Sequence, residues 1–259
     1  MHSRPWLWPN LLSLDAPLVA LLWQLLFVRC FHGSLGMLPA ALLAIAVWLI
    51  YVADRTLDAW RGLTEQPRHE FYGRHWRAVL PIWIATLGAG AWLAWSRLPR
   101  SLFVQGAVVA SGTALYLAAV HLTPGMLRRA GFKESAVAVL FGLGASLAAW
   151  PGVQTTGDVL AILLFSCLCW MNCSAIDDWE SGRELRPSVI AAAGLVALTA
   201  ACVLQDHRPI LGAAETAGAF GLVLLDKSRG RYSAEALRVL ADVVLLTPIV
   251  FLPVAGLFG

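Results

Sequence analysis

Apolar residues fill this chain in long blocks, and polar residues collect in the short stretches between them. Blocks of about 20 residues match the thickness of a bilayer's hydrocarbon core. They predict nine spans, at 16–32, 37–57, 78–97, 101–121, 134–150, 157–177, 187–204, 208–225 and 236–257. Leu, Ala and Gly follow one another on every side of these blocks, without the alternation of a membrane β-barrel strand, so the pattern predicts helices. The expected fold is all-α: a polytopic nine-transmembrane-helix bundle occupying 1–259 as one domain, without an internal repeat or a soluble appendage.

Composition supports this setting. Hydrophobic residues make up 59% of the chain and charged residues only 14%, against about 25% in soluble domains. The segment before Asp15 holds Arg4, Trp6 and Trp8 but no small-residue cleavage site after a short apolar core, so it reads as an interfacial lead-in rather than a signal peptide. With nine spans, all but four of the 19 Lys and Arg fall on the face of the N-terminus, the exceptions being Arg29, Arg97, Arg100 and Arg208. Basic residues are retained in the cytoplasm, which predicts a cytoplasmic N-terminus. The net charge of +3 is then a topology signal, and no nucleic-acid motif accompanies it. Cys30, Cys167, Cys169, Cys173 and Cys202 lie in apolar context without paired zinc spacing, and read as packing residues.

The stretch "YVADRTLDAW" ends the second span with Asp54 and Asp58 one helical turn apart. Residues four apart share a helix face, with Cβ atoms about 5–6 Å apart. Like charges placed so repel, and a cation between them removes the conflict; Arg55 and Arg61 offer the plainer neutralisation. A second acidic stretch, "NCSAIDDWESGRE", closes span six on the same predicted face with Asn172, Asp177, Asp178, Glu180 and Glu184. Oxygen ligands in pairs, without Cys or His between them, suit Mg²⁺, which keeps several waters and takes one or two carboxylates plus substrate phosphates. The cytoplasmic loops add Arg61, Arg68, His69, Arg74, His75, Arg77, Arg128 and Arg129. Positive-inside retention accounts for most of these. Lys133 opens an apolar span beside Glu134 and is the candidate for the bundle interior.

These stretches resemble the UbiA superfamily of intramembrane prenyltransferases, nine-helix proteins with aspartate-rich motifs on helices two and six. "IYVADRTLD", from Ile50 to Asp58, matches the last two aspartates and the interior of the family's N-D-x-x-D-x-x-x-D pattern. "FKESAVAVLFGLGASLA", from Phe132, looks like the family's helix five opened by a basic residue, and "NCSAIDDWE" stands where its second motif belongs. Two departures are plain: Ile50 and Tyr51 replace the pattern's leading Asn and first Asp, and the second motif is compressed to Asp177-Asp178-x-Glu180.

The resemblance implies a Mg²⁺-dependent transfer of an isoprenoid from a prenyl diphosphate to an aromatic or other lipophilic acceptor at a membrane. It implies Asp54, Asp58, Asp177 and Glu180 as metal ligands and catalytic groups, and Arg55, Lys133, Asn172, Asp178, Tyr51 and Tyr116 as substrate contacts. Trp48 and Trp170 join Tyr51 and Tyr116 as aromatic walls for an allylic cation, a role that competes with ordinary packing. A terpene cyclase of the same superfamily is the alternative, in which a double bond of the substrate captures the cation. The non-enzyme alternative is a transporter or structural membrane protein, which would place its carboxylates at mid-membrane depth rather than at span ends. Asp242 is read as pairing with Arg238, and Glu215 lies inside span eight without a partner nameable from sequence.

Overall fold

The computed structural model describes residues 8–62, 67–122, 132–204 and 208–255. Arg4, Trp6, Arg128 and Arg129 lie outside these residues, as do the side chains of Arg68 and His69. Every regular element among the described residues is a helix: α1 (Trp8–Leu11), α2 (Asp15–Cys30), α3 (Met37–Trp60), α4 (Pro67–Arg97), α5 (Arg100–Leu122), α6 (Phe132–Ser146), α7 (Thr156–Glu180), α8 (Pro187–Thr199), α9 (Pro209–Lys227), α10 (Ala234–Val244) and α11 (Pro248–Ala255). A 3₁₀ segment, Leu147–Gly152, extends α6, and a π segment, Ala200–Leu204, extends α8. Among the described residues, seven helical stretches are long and apolar enough to cross a bilayer: Met37–Trp60, Glu70–Arg97, Arg100–Leu122, Phe132–Gly152, Thr156–Glu180, Pro209–Lys227 and Ala234–Ala255. The other two predicted spans correspond to α2, with 16 residues, and to the shorter apolar helix Pro187–Cys202. The chain thus has the helices of a multi-pass membrane protein.

The helices gather into two compact units. The first contains α1, the opening turns of α2, and α3 to α5. Here α3 and α4 run antiparallel: the Trp83 indole donates to the Leu49 carbonyl at 2.8 Å, while Gly73 faces Ala59 toward one end and Gly90 faces Ile45 toward the other. The turn after α1 is tied to both helices. Trp48 donates to the Leu12 carbonyl, and Ser13 and the Tyr72 hydroxyl share a hydrogen bond of 3.0 Å.

The second unit contains the rest of α2 and α6 to α11. Its core is aromatic and aliphatic: Trp23 stacks on Phe165 with ring centroids 4.3 Å apart, among the fully buried Phe27, Leu168, Met171, Leu211 and Leu222. The start of α7 carries a capping box, in which Thr155 accepts from the Asp158 amide and the Asp158 carboxylate accepts from the Thr155 amide. Asp158 also pairs with Arg208, just ahead of α9, at 2.7 Å. At the other ends of the same two helices, the Trp179 indole donates to Asp226 at 2.9 Å. Helices α7 and α9 therefore run parallel, joined start to start and end to end, and α8 carries the chain back between them.

Candidate functional site

Helices α3 and α7 end alike. Each carries acidic residues into its last turns and then stops at a glycine of positive φ, Gly62 at 81° and Gly182 at 69°. Each glycine amide donates to a carbonyl of the last turn, that of Ala59 or Trp179, at 3.0 Å. A left-handed residue after a helix closes it, and glycine adopts that conformation without a Cβ penalty. Both carboxylate sets are thereby fixed at helix ends.

In the first unit, Asp54 and Asp58 meet His121 of α5. The imidazole Nε2 lies 3.1 Å from Asp54 Oδ1, and Nδ1 lies 3.8 Å from Asp58 Oδ1. The His121 side chain is almost buried, at 6% exposure, while that of Asp54 is one-third exposed. Arg55 turns the other way: its guanidinium donates to the Asn10 carbonyl and, at 2.6 Å, to Ser13 Oγ, and lies over the Tyr51 ring. Arg55 therefore anchors the turn after α1. Tyr116 is half-buried on α5, five residues before His121.

In the second unit, Asp177 and Asp178 are bound by arginines of the following loop. Arg183 reaches Asp177 at 3.1 Å and Asp178 at 3.3 Å, and Arg186 reaches them at 3.0 and 2.9 Å. Asp178 is 2% exposed and also accepts the backbone N–H of Arg186, so it ties the loop to the helix. Its hydrogen bonds to Arg186 push that guanidinium above its ordinary value. Asp177, in contrast, is half exposed. Glu180 pairs with Arg238 of α10. Asn172 donates to Asp242 at 3.4 Å, leaving its own Oδ1 buried without a hydrogen-bond partner among the described residues. Lys133 is exposed at the start of α6, within electrostatic reach of Cys173.

Among the described residues, no three His, Cys, Asp or Glu side chains converge as a metal centre. Pairs of carboxylate oxygens remain, a donor set that fits Mg²⁺, which completes its shell with water and phosphate oxygens. Asp178 is the poorest ligand of the set, because its oxygens already accept from Arg183 and Arg186.

The structure thus brings Asp54 together with Asp58, and Asp177 together with Asp178. Asn172 meets Asp242, and Glu180 meets Arg238. Sequence reasoning missed His121, and it missed that Arg183 and Arg186 hold the second acidic pair. The signal for His121 was present, as a histidine closing the fourth predicted span on the same predicted face as Asp54. A separation of 67 residues concealed the contact. Compared with family models, curated proteins and solved structures, the chain matches none.

Proposed function

We propose that the chain is a Mg²⁺-dependent intramembrane prenyltransferase of the UbiA type, a nine-helix bundle that moves an isoprenoid from a prenyl diphosphate to an aromatic or other lipophilic acceptor. The observation that carries this reading is the shared ending of α3 and α7, whose last turns deliver carboxylates just before a left-handed glycine. A cation path through a transporter would want such groups at mid-depth. The parallel run of α7 and α9 supports a ninefold count, since the intervening α8 and its π segment must return across the same thickness. Asp54 and Asp58 are the metal-holding pair of α3, and Asp177 and Glu180 those of α7. The N-terminus and both acidic ends face the cytoplasm, as the basic residues predict.

Mg²⁺ would supply neutralisation of the diphosphate leaving group. The chain supplies the rest. Arg183 and Arg186, which rest on Asp177 and Asp178, are placed to transfer their hydrogen bonds to phosphate oxygens, for which a guanidinium fork is suited. Lys133 and Asn172 add polar contacts at the cytoplasmic half of the second unit. The apolar spans hold the isoprenoid, and Tyr51, Tyr116, Trp48 and Trp170 are the aromatic faces available to an allylic cation.

The cyclase reading draws on Ile50 and Tyr51, which leave an apolar wall where the family pattern has polar groups. One experiment tests all the readings: pyrophosphate release and product mass spectrometry on the purified chain with Mg²⁺, prenyl diphosphates of several lengths and a panel of aromatic acceptors. Release that depends on acceptor, with a prenylated product, is the expected result. Acceptor-independent release with a cyclic terpene would establish the cyclase instead, and absence of turnover throughout would favour a non-enzymatic membrane protein.

A further inference from the structure

Four arginines fall outside the predicted cytoplasmic set: Arg29, Arg97, Arg100 and Arg208. Arg208 is matched by Asp158 at 2.7 Å. For Arg97 and Arg100, which close α4 and open α5, the sequence offers no such partner nearby, since 71 to 133 holds no Asp or Glu. The start of α3 lies beside the end of α4, where Gly90 faces Ile45, and adds none, because 16 to 53 is also free of acids. This end of the first unit therefore carries two exposed arginines and, among its described residues, no carboxylate.

The surroundings are aromatic. The Arg100 guanidinium lies over the rings of Trp95 and Phe103, 5.3 and 5.8 Å from their centroids, and those two rings meet edge to face. Trp92 and Trp95 are both exposed. The other end of α4 repeats the arrangement, with Arg77 over Trp76 and Trp76 edge to face with Trp60. From Trp76 to Trp95, at about 1.5 Å per residue, the helix rises about 28 Å, close to the hydrocarbon thickness of about 30 Å. Tryptophan collects at the two membrane–water interfaces, which sets the α4–α5 turn at headgroup level. A free anion gains nothing from exposed indoles, whereas a phospholipid offers its phosphate to the guanidinium groups and its glycerol end to the rings.

We propose that the α4–α5 turn binds the phosphate of an anionic phospholipid through Arg97 and Arg100, with Trp95 and Phe103 against its glycerol end. The lipid supplies the counter-charge that this end of the unit lacks. The inference rests on the membrane setting and is independent of the metal-holding reading of α3 and α7.

The test is photo-crosslinking of the purified full-length chain in detergent, titrated with phosphatidylglycerol that carries a diazirine near its glycerol, with the sites mapped by peptide mass spectrometry. Peptides spanning 92–103 should be labelled, and the matching phosphatidylcholine, whose choline cancels the phosphate charge, should label them only at higher concentration. An arginine at a membrane surface contributes roughly 5-fold to such binding, so Arg97→Gln combined with Arg100→Gln should raise the half-maximal concentration on the order of 30-fold. Arg77→Gln, at the other end of α4, removes one charge as well and should leave labelling of 92–103 unchanged. Equal labelling by the two lipids, or full labelling of the double variant, would overturn the proposal. Millimolar inorganic pyrophosphate should not displace the lipid; displacement would assign the arginines to a free anion and overturn the lipid reading. Should the double variant not fold by circular dichroism, the single variants decide, with a loss of roughly 5-fold expected in each and no loss in either overturning the site.

Discussion

Asp177 and Asp178 are neighbours in sequence with different surroundings. Asp178 is sealed against solvent and accepts from Arg183 and from both the side chain and the backbone of Arg186, whereas Asp177 is half exposed. Removing the Asp178 carboxylate leaves the Arg186 backbone N–H without that acceptor and leaves Arg183 and Arg186 paired with Asp177, at a cost of about 1–3 kcal/mol. Asp178→Ala should therefore lower the thermal unfolding midpoint in detergent clearly. Asp177→Ala should leave that midpoint nearly unchanged and weaken Mg²⁺-dependent prenyl diphosphate binding, measured with a labelled diphosphate. Glu215 poses the opposite case. It is fully buried on α9, with both carboxyl oxygens lacking a hydrogen-bond partner among the described residues. An unsatisfied buried polar group costs about 1–3 kcal/mol, so Glu215→Leu should stabilise the chain by an amount in that range. An unchanged or lower midpoint in the same unfolding assay would mean that the carboxyl contributes to holding the fold.

At the scale of elements, a close helix approach that the sequence left unmarked is that of α6 on α7. Its contact face uses small residues, the buried Ala138, Gly142, Ala145 and Ser146, and a Cβ added to Gly142 would run into the Ser166 side chain. Small residues let backbones approach where lipid offers no hydrophobic drive to association. Gly142→Ala should cost about 1–3 kcal/mol by overpacking, seen as a lower melting midpoint by circular dichroism, and Ser166→Ala should recover part of the loss. The long apolar blocks made the helices legible from sequence, because length and uniform hydrophobicity need no knowledge of neighbours. The acidic ends of α3 and α7 were legible for the same local reason. Pairings that skip along the chain were not: Asp54 with His121, Glu180 with Arg238 and Asn172 with Asp242 each join different helices. Nothing in the spacing of Arg55 after Asp54 indicates that it turns toward Ser13, since that turn depends on where the segment after α1 lies.

For the whole molecule, the open quantity is the number of crossings, and the second unit supplies an argument for α8. Among the described residues seven helical stretches meet the length and hydropathy of a span, and Pro187–Cys202 is shorter. Yet α7 and α9 are joined at their starts by Asp158 and Arg208 and at their ends by Trp179 and Asp226. Two parallel helices in succession require the chain between them to travel the full distance back. Residues 187–204, at about 1.5 Å per residue, reach about 26 Å along their axis, close to the hydrocarbon thickness. Apolar content alone did not settle this, because a short helix within a bundle and a short span look alike in one sequence. Single cysteines placed at Gln154, Ser181 and Lys227, in a background with the five native cysteines replaced, decide it with a membrane-impermeant maleimide on sealed vesicles. Ser181 and Lys227 follow or end α7 and α9, and Gln154 precedes α7. The first two should react from one side of the membrane and Gln154→Cys from the other, with Ser181→Cys and Lys227→Cys protected in outward-facing vesicles if that side is cytoplasmic. If Lys227→Cys reacts together with Gln154→Cys, α8 does not cross, and the ninefold bundle is wrong in its second half.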